Sequence, residues 1–253
     1  MLVTWLVGLG LILSAQIATR KMADVPGKLQ NIWEWAVESL EEFLENILGR
    51  ELAQKTFWFF ASIFIFILTT NWVGLIPGVG TIGWGKPVEG HTYLLAEVST
   101  PLFRGGNADL NMTLAISVIF FILWIVWAVQ AQGVLGVVKH TFGPKGDSTG
   151  VMRWAMIIIF IAVGFLEVIS IAVRPISLSL RLFGNVYAGE SILEVMGNIM
   201  HGGWSWLNYL LPVPFYFMEI LVGLVQALVF MLLTAVFTLL ICQHDEESGA
   251  AHH

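Results

Sequence analysis

The stretch from Arg153 to Met200 is the hardest constraint on the fold of this chain. It contains no strong helix breaker except Pro175. As one continuous helix it would be about 70 Å long, against a bilayer hydrocarbon core of about 30 Å. Two solutions exist. The stretch either forms two vertical spans with a tight turn near Arg174-Pro175, or one long, strongly tilted, kinked element. The spacing of its residues leaves both open.

The membrane reading rests on composition. Of 253 residues, 57% are hydrophobic and 12% are charged, about half the charge of a soluble domain. Mean hydropathy is +0.80, and several apolar runs approach the length of a span. The fold class is therefore an all-α polytopic membrane protein forming a single membrane domain over 1–253. Residues 1–20 form the first span. Arg20 and Lys21 follow its apolar core, whereas a cleaved signal peptide carries positive charge before it. After Pro26-Gly27, residues 28–50 form an amphipathic surface helix. Trp33, Val37, Leu40, Leu44 and Ile47 recur at three- and four-residue steps, and Glu34, Glu38, Glu41, Glu42 and Glu45 fill the other positions. Lacking the Lys/Arg richness of lipid-binding helices, this helix is expected to be supported by protein, with its acidic face solvated.

Residues 56–76 are a second span and 77–110 an outer loop, with a short strand expected at Thr92–Leu94. Residues 111–138 are a third span, closed by a polar turn at Lys139–Ser148. Residues 153–200 and 213–242 are the two long apolar elements, and 243–253 a flexible polar tail. Counting 153–200 as one passage gathers Arg20, Lys21, Lys28, Arg50, Lys55, Lys139, Lys145 and Arg153 on one side, against Lys86 and Arg104 on the other. The positive-inside rule then puts the N-terminus outside and the C-terminus in the cytoplasm, and favours the single passage.

Polar residues in the long elements carry the functional signal. Glu167, Arg174 and Arg181 are seven apart, so each lies only about 20° around a helix from the last. Asn185 joins that stripe one turn later, and Glu190 turns to roughly the opposite face. In the last run Glu219 and Gln226 are again seven apart. A charge at bilayer depth costs at least about 2.5–3.5 kcal/mol, so a chain retains it where it faces protein, water or an ion path. A proton path needs such parts: carboxylates to relay protons, amides to order water, and a cation that does not titrate as a barrier. A fixed guanidinium also favours the ionised form of any acid within about 4–6 Å. The competing reading is a set of structural ion pairs such as Arg174–Glu167. Ser177 is a possible accessory, although its hydroxyl and that of Ser179 are expected to bond back to helix carbonyls.

Other chemistries are not indicated. Cys242 is the single cysteine and can form no internal disulfide. There is no Walker-type phosphate loop, metal-ligand spacing or nucleophile motif, so no cofactor, metal or bond-making reaction is expected. Nor is there a basic patch for nucleic acid.

The segment RPISLSLRLFGNVYAGE, Arg174 to Glu190, strongly resembles the subunit a family of the F-type ATP synthase membrane sector. Supporting segments are PGKLQNIWEWAVE at 26–38, NWVGLIPG at 71–78, ADLNMTLA at 108–115 and QALVFMLLT at 226–234. The resemblance implies three ordinary transmembrane helices, a surface helix, and a hairpin of two long tilted helices facing a ring of c subunits. It implies that Arg181 is the essential arginine facing the ring's ion-binding carboxylate. It also implies that Asn185 is the family's polar residue one turn on, that Glu190, Glu219 and Gln226 belong to the outer half-channel and the helix interface, and that Glu167 belongs near the cytoplasmic half-channel. The implied partners are the c ring, the peripheral-stalk b subunits, the rest of the synthase and membrane lipid. An energy-coupling membrane is implied, most simply the bacterial plasma membrane. Two departures stand out. Family members usually carry a longer stretch before the first span, and the Glu190/Glu219 pair replaces other acid, histidine or glycine combinations. The rival functions are a self-contained secondary transporter, for which no internal repeat is seen, and a structural anchor.

Overall fold

The computed structural model describes residues 2–20, 22–23, 25–76, 83–87, 96–142, 151–198 and 210–249. Six long helices occur in it: α1 Leu2–Thr19, α2 Lys28–Leu48, α3 Arg50–Gly74, α4 Leu110–Phe142, α5 Val151–Asn198 and α6 Val213–Gly249. All but α2 are long and apolar enough to cross a membrane, which makes the chain an all-α polytopic membrane protein. Two antiparallel strands, β1 Gly83–Pro87 and β2 Ala96–Pro101, and a 3-10 turn at Gly106–Ala108 lie between α3 and α4.

The long constraint resolves into one element. Helix α5 runs 48 residues straight through Pro175. The proline forfeits one backbone hydrogen bond, but the ladder on either side carries the helix across it. Its apolar stretch Ile161–Leu193 spans 33 residues, about 50 Å, which a core of about 30 Å accommodates only with strong tilt. Helix α6 is its long companion, with 37 residues.

Lipid is as apolar as leucine, so close packing and interhelical hydrogen bonds hold such helices together. Phe60 and Ile67 of α3, Phe120 and Trp124 of α4, Leu182 of α5, and Phe230 and Met231 of α6 meet in one buried cluster. Polar pairs tie the same helices. Thr113 of α4 and Ser179 of α5 share a 3.0 Å hydrogen bond with both side chains fully buried. The expected back-bond from Ser179 is thus replaced by a cross-helix one. Gln132 Nε2 donates to the Ile241 carbonyl, joining α4 to α6.

Helix α2 leans on protein: Leu40, Leu44 and Leu48 are buried in the core cluster. Gly49, at φ 75°, turns the chain into α3.

Four local features differ from the sequence reading. The region 77–110 contains the β1–β2 pair, while the expected strand at Thr92–Leu94 lies outside the described residues. Helix α4 continues to Phe142, past the start of the expected turn at Lys139, and it is kinked at Gly133 (φ 72°, ψ 163°), a backbone state open to glycine. Helix α6 continues to Gly249, beyond the start of the expected tail at Gln243, because no breaker occurs before that glycine. Helix α5 begins at Val151, two residues before its expected start at Arg153.

Candidate functional site

Helices α5 and α6 carry the polar residues, in three levels. Glu167 and Glu190 are 23 positions apart on α5, about 35 Å along its axis, so even on a tilted helix the set covers much of the depth of a bilayer core.

At the middle level, Asn185 Nδ2 donates to Gln226 Oε1 at 2.7 Å. Asn185 is exposed and Gln226 is buried, so the bond sits at the rim of the α5–α6 seam. Arg181 stands one turn from Asn185. It is exposed and forms no ion pair among the described residues. Along the same two helices, Val173, Ile176, Leu180 and Tyr187 of α5 and Phe217, Leu221 and Val225 of α6 are also exposed. Arg181 is thus an exposed cation on a helix pair whose large exposed side chains are mostly apolar.

At the level facing the 77–110 loop, two carboxylates approach the seam. Glu219 is buried at 7% exposure, and a Cβ on Gly189 would overlap its carboxylate. The bare backbone at Gly189 therefore makes the space that Glu219 fills, immediately before Glu190 in the chain. Glu190 turns the other way. Its Oε2 lies 3.9 Å from Arg104 Nε, and its Oε1 would be 2.8 Å from a Cβ on Gly105. Asn71 of α3 donates to the Gly223 carbonyl at 3.0 Å, one turn after Glu219, and Asn107 Nδ2 donates to Asn71 Oδ1 at 2.7 Å. The acceptor of the same buried amide, Asn107 Oδ1, has no hydrogen-bond partner among the described residues.

At the opposite level, the Arg174 guanidinium lies over the Phe237 ring at 4.6 Å and the Trp124 ring at 5.7 Å from their centroids. Trp124 Nε1 in turn donates to the Phe237 carbonyl at 3.0 Å. Arg174 also feels the charge of half-buried Glu167, one heptad earlier.

The structure therefore brings the helical stripe together only in part. Asn185 and Gln226 meet. Arg174 is drawn inward to two aromatic rings, Arg181 points out of the bundle, and Ser177 is exposed. Glu190 is joined to Arg104 rather than to Arg181. Sequence reasoning missed Arg104, Gly189 and the Asn71–Asn107 pair. Arg104 had a signal, as one of two cations on its side of the membrane; the others depend on contacts between distant segments. No group of three or more His, Cys, Asp or Glu suited to a metal occurs among the described residues. A large groove of 680 Å³ between α1, α2, α3 and α4 is apolar and lies elsewhere.

Such an arrangement can pass protons along carboxylates and amides while a fixed cation interrupts the path. Comparison with known proteins gives the family. The chain is similar to ATP synthase subunit a of Desulfotalea psychrophila, at 32% identity over 234 residues, covering 92% of this chain and 80% of that protein. It is 33% identical over 234 residues to ATP synthase subunit a 3 of Pelobacter propionicus, covering 92% and 83%. It is 30% identical over 234 residues to ATP synthase subunit a of Geobacter sulfurreducens, again covering 92% and 83%. The ATP synthase A chain family model matches residues 1–238, and the chain belongs to that family.

Proposed function

We propose that this chain, a membrane-sector subunit of an F-type ATP synthase, is the stator that leads protons to and from a rotating ring of c subunits. Glu190, Glu219, Asn185 and Gln226 belong to a half-channel open on the side of the 77–110 loop. Glu167 belongs to the half-channel on the other side, with Arg174 as an accessory beside it. Arg181 stands between the two as the barrier. A proton entering one half-channel passes to a ring carboxylate, rides around with the ring and leaves by the other. The driving force is the membrane potential, about 2.3 kcal/mol per charge per 100 mV, plus the pH gradient.

The observation that carries this reading is the exposure of Arg181 on a helix pair whose large exposed side chains are mostly apolar. A guanidinium facing lipid would bear the full cost of a charge in hydrocarbon. It is stabilised there if another protein covers the face and brings a carboxylate to it. A ring of c subunits has that chemistry. The guanidinium favours the ionised form of each arriving acid, promoting proton release without titrating itself. The remaining partners are the peripheral-stalk b subunits and the other synthase subunits. The location is an energy-coupling membrane, the plasma membrane in a bacterium, with the N-terminus outside.

The test is ATP-driven proton uptake by membrane vesicles containing the whole complex, with Arg181→Ala beside the unmodified chain and passive leak read in the same vesicles. Lost pumping with a persisting or raised leak is expected. Unchanged pumping in an assembled complex would sink the barrier role and leave a structural anchor.

A further inference from the structure

We propose that Arg104, on the loop between α3 and α4, is a positioning residue that holds the Glu190 carboxylate in place at the mouth of the proton path. This rests on the reading of Glu190 as part of the half-channel on that side. The Arg104 Nε to Glu190 Oε2 distance is 3.9 Å, and the side chains are 47% and 30% exposed. The pair is therefore only part-buried within the chain. A second acid at this level of α5 is Glu219, which approaches across Gly189 from α6.

Arg104 is not needed to hold its own turn. Gly105 packs against Gly74 of α3, where a Cβ on Gly74 would come 3.3 Å from the Gly105 Cα. Gly105, Gly106, Asn107 and Ala108 are all buried. Asn107 bonds to Asn71, and Asn71 bonds to the Gly223 carbonyl of α6. These contacts fix the turn against α3 and α6 without using the guanidinium. Glu190 Oε1 lies against the bare Gly105 backbone, and Arg104 reaches Oε2. The buried turn thus serves as a platform, and the cation it presents selects the orientation of the carboxylate through charge.

The experiment is ATP-driven proton uptake by vesicles carrying the whole complex, normalised to assembled complex, for Arg104→Gln, Arg104→Lys, Glu190→Gln and Arg104→Gln/Glu190→Gln. Arg104→Gln should lower uptake about two- to fivefold, the range open to a part-exposed ion pair. Arg104→Lys should restore most of it, and Arg104→Gln should add no further loss on Glu190→Gln. Unmodified uptake in Arg104→Gln, with uptake lost in Glu190→Gln, would overturn the proposal and leave the half-channel reading standing. Equal losses in Arg104→Gln and Arg104→Lys, accompanied by poor assembly, would also overturn it, since charge would then not be what matters. Full uptake in Glu190→Gln would remove the reading on which the proposal rests.

Discussion

Gly189 shows how much of this site is decided by one missing side chain. Glu219 occupies the volume where a Cβ on Gly189 would stand. A methyl group there must displace the carboxylate, because helix backbone cannot yield in a packed interface. Gly189→Ala is therefore expected to depress ATP-driven proton uptake and to lower the melting temperature of the complex, with a cost of about 1–3 kcal/mol for overpacking. The pair separates space from chemistry. Glu219→Ala on top of Gly189→Ala should recover the melting temperature by freeing volume, yet leave uptake impaired because the acid is gone. Recovery of both would show that Glu219 takes no part in transport. Little of this contact was legible in the sequence. Arg181, Asn185, Glu190, Glu219 and Gln226 stand out as polar residues in apolar runs, but Gly189 becomes visible only when a residue 30 positions on is brought against it. Arg104 is similar: its charge is plain, whereas its approach to Glu190 depends on how a turn more than 80 positions earlier docks.

At the scale of elements, the α4–α5 contact rests on a buried hydroxyl pair. Thr113 and Ser179 are each fully buried and bonded to one another at 3.0 Å. Thr113 Oγ1 also donates to the Leu110 carbonyl at 3.1 Å, so Ser179 is the partner that loses more when the pair is broken. Thr113→Val keeps the shape of residue 113 but leaves Ser179 with a weaker choice of partners. The expected cost is about 1–3 kcal/mol, while Thr113→Val/Ser179→Ala should be less harmful than the single change. Thermal unfolding of the purified complex would read both, and a double variant less stable than the single would refute the pairing. Periodicity exposes the apolar face of a helix but does not say which hydroxyl turns to a neighbour. That is why Ser179 read as a back-bonding serine. Pro175 posed the same difficulty, since a proline is compatible with a turn or with an uninterrupted helix. Length is the stronger guide in this element. A stretch with no second breaker propagates through one lost hydrogen bond more readily than it nucleates a turn inside lipid, where open backbone groups are costly. Strand β1 (GWGKP) is short and glycine-rich and β2 (AEVSTP) is short and ends in proline, too little pattern to read, and the kink at Gly133 had only a single glycine as its signal.

At the scale of the whole molecule, the continuity of α5 determines the parity of the chain. Five helices are long and apolar enough to cross. If each crosses once, the termini lie on opposite sides, whereas a turn at Arg174-Pro175 would add a passage and bring them to the same side. Charge favours one direction. Arg20, Lys28, Arg50, Lys55 and Lys139 flank one set of helix ends, and only Lys86 and Arg104 the other. The proposed orientation, N-terminus outside, would put Glu190, Glu219 and Arg104 toward the outer surface and Glu167 toward the cytoplasm, so the proposed direction of proton entry depends on it. A cysteine-reactive, membrane-impermeant reagent provides the measurement, with Cys242 first replaced by Ser and single cysteines placed at Thr4 and Ser248 in the assembled complex. The Thr4→Cys site should be protected in inverted vesicles and the Ser248→Cys site labelled, with the pattern reversed in right-side-out vesicles. Labelling of both from the same side would mean an even number of passages. It would require either a break in α5 or a helix that fails to cross, and would move Glu190 and Glu167 out of the order that the two half-channels need.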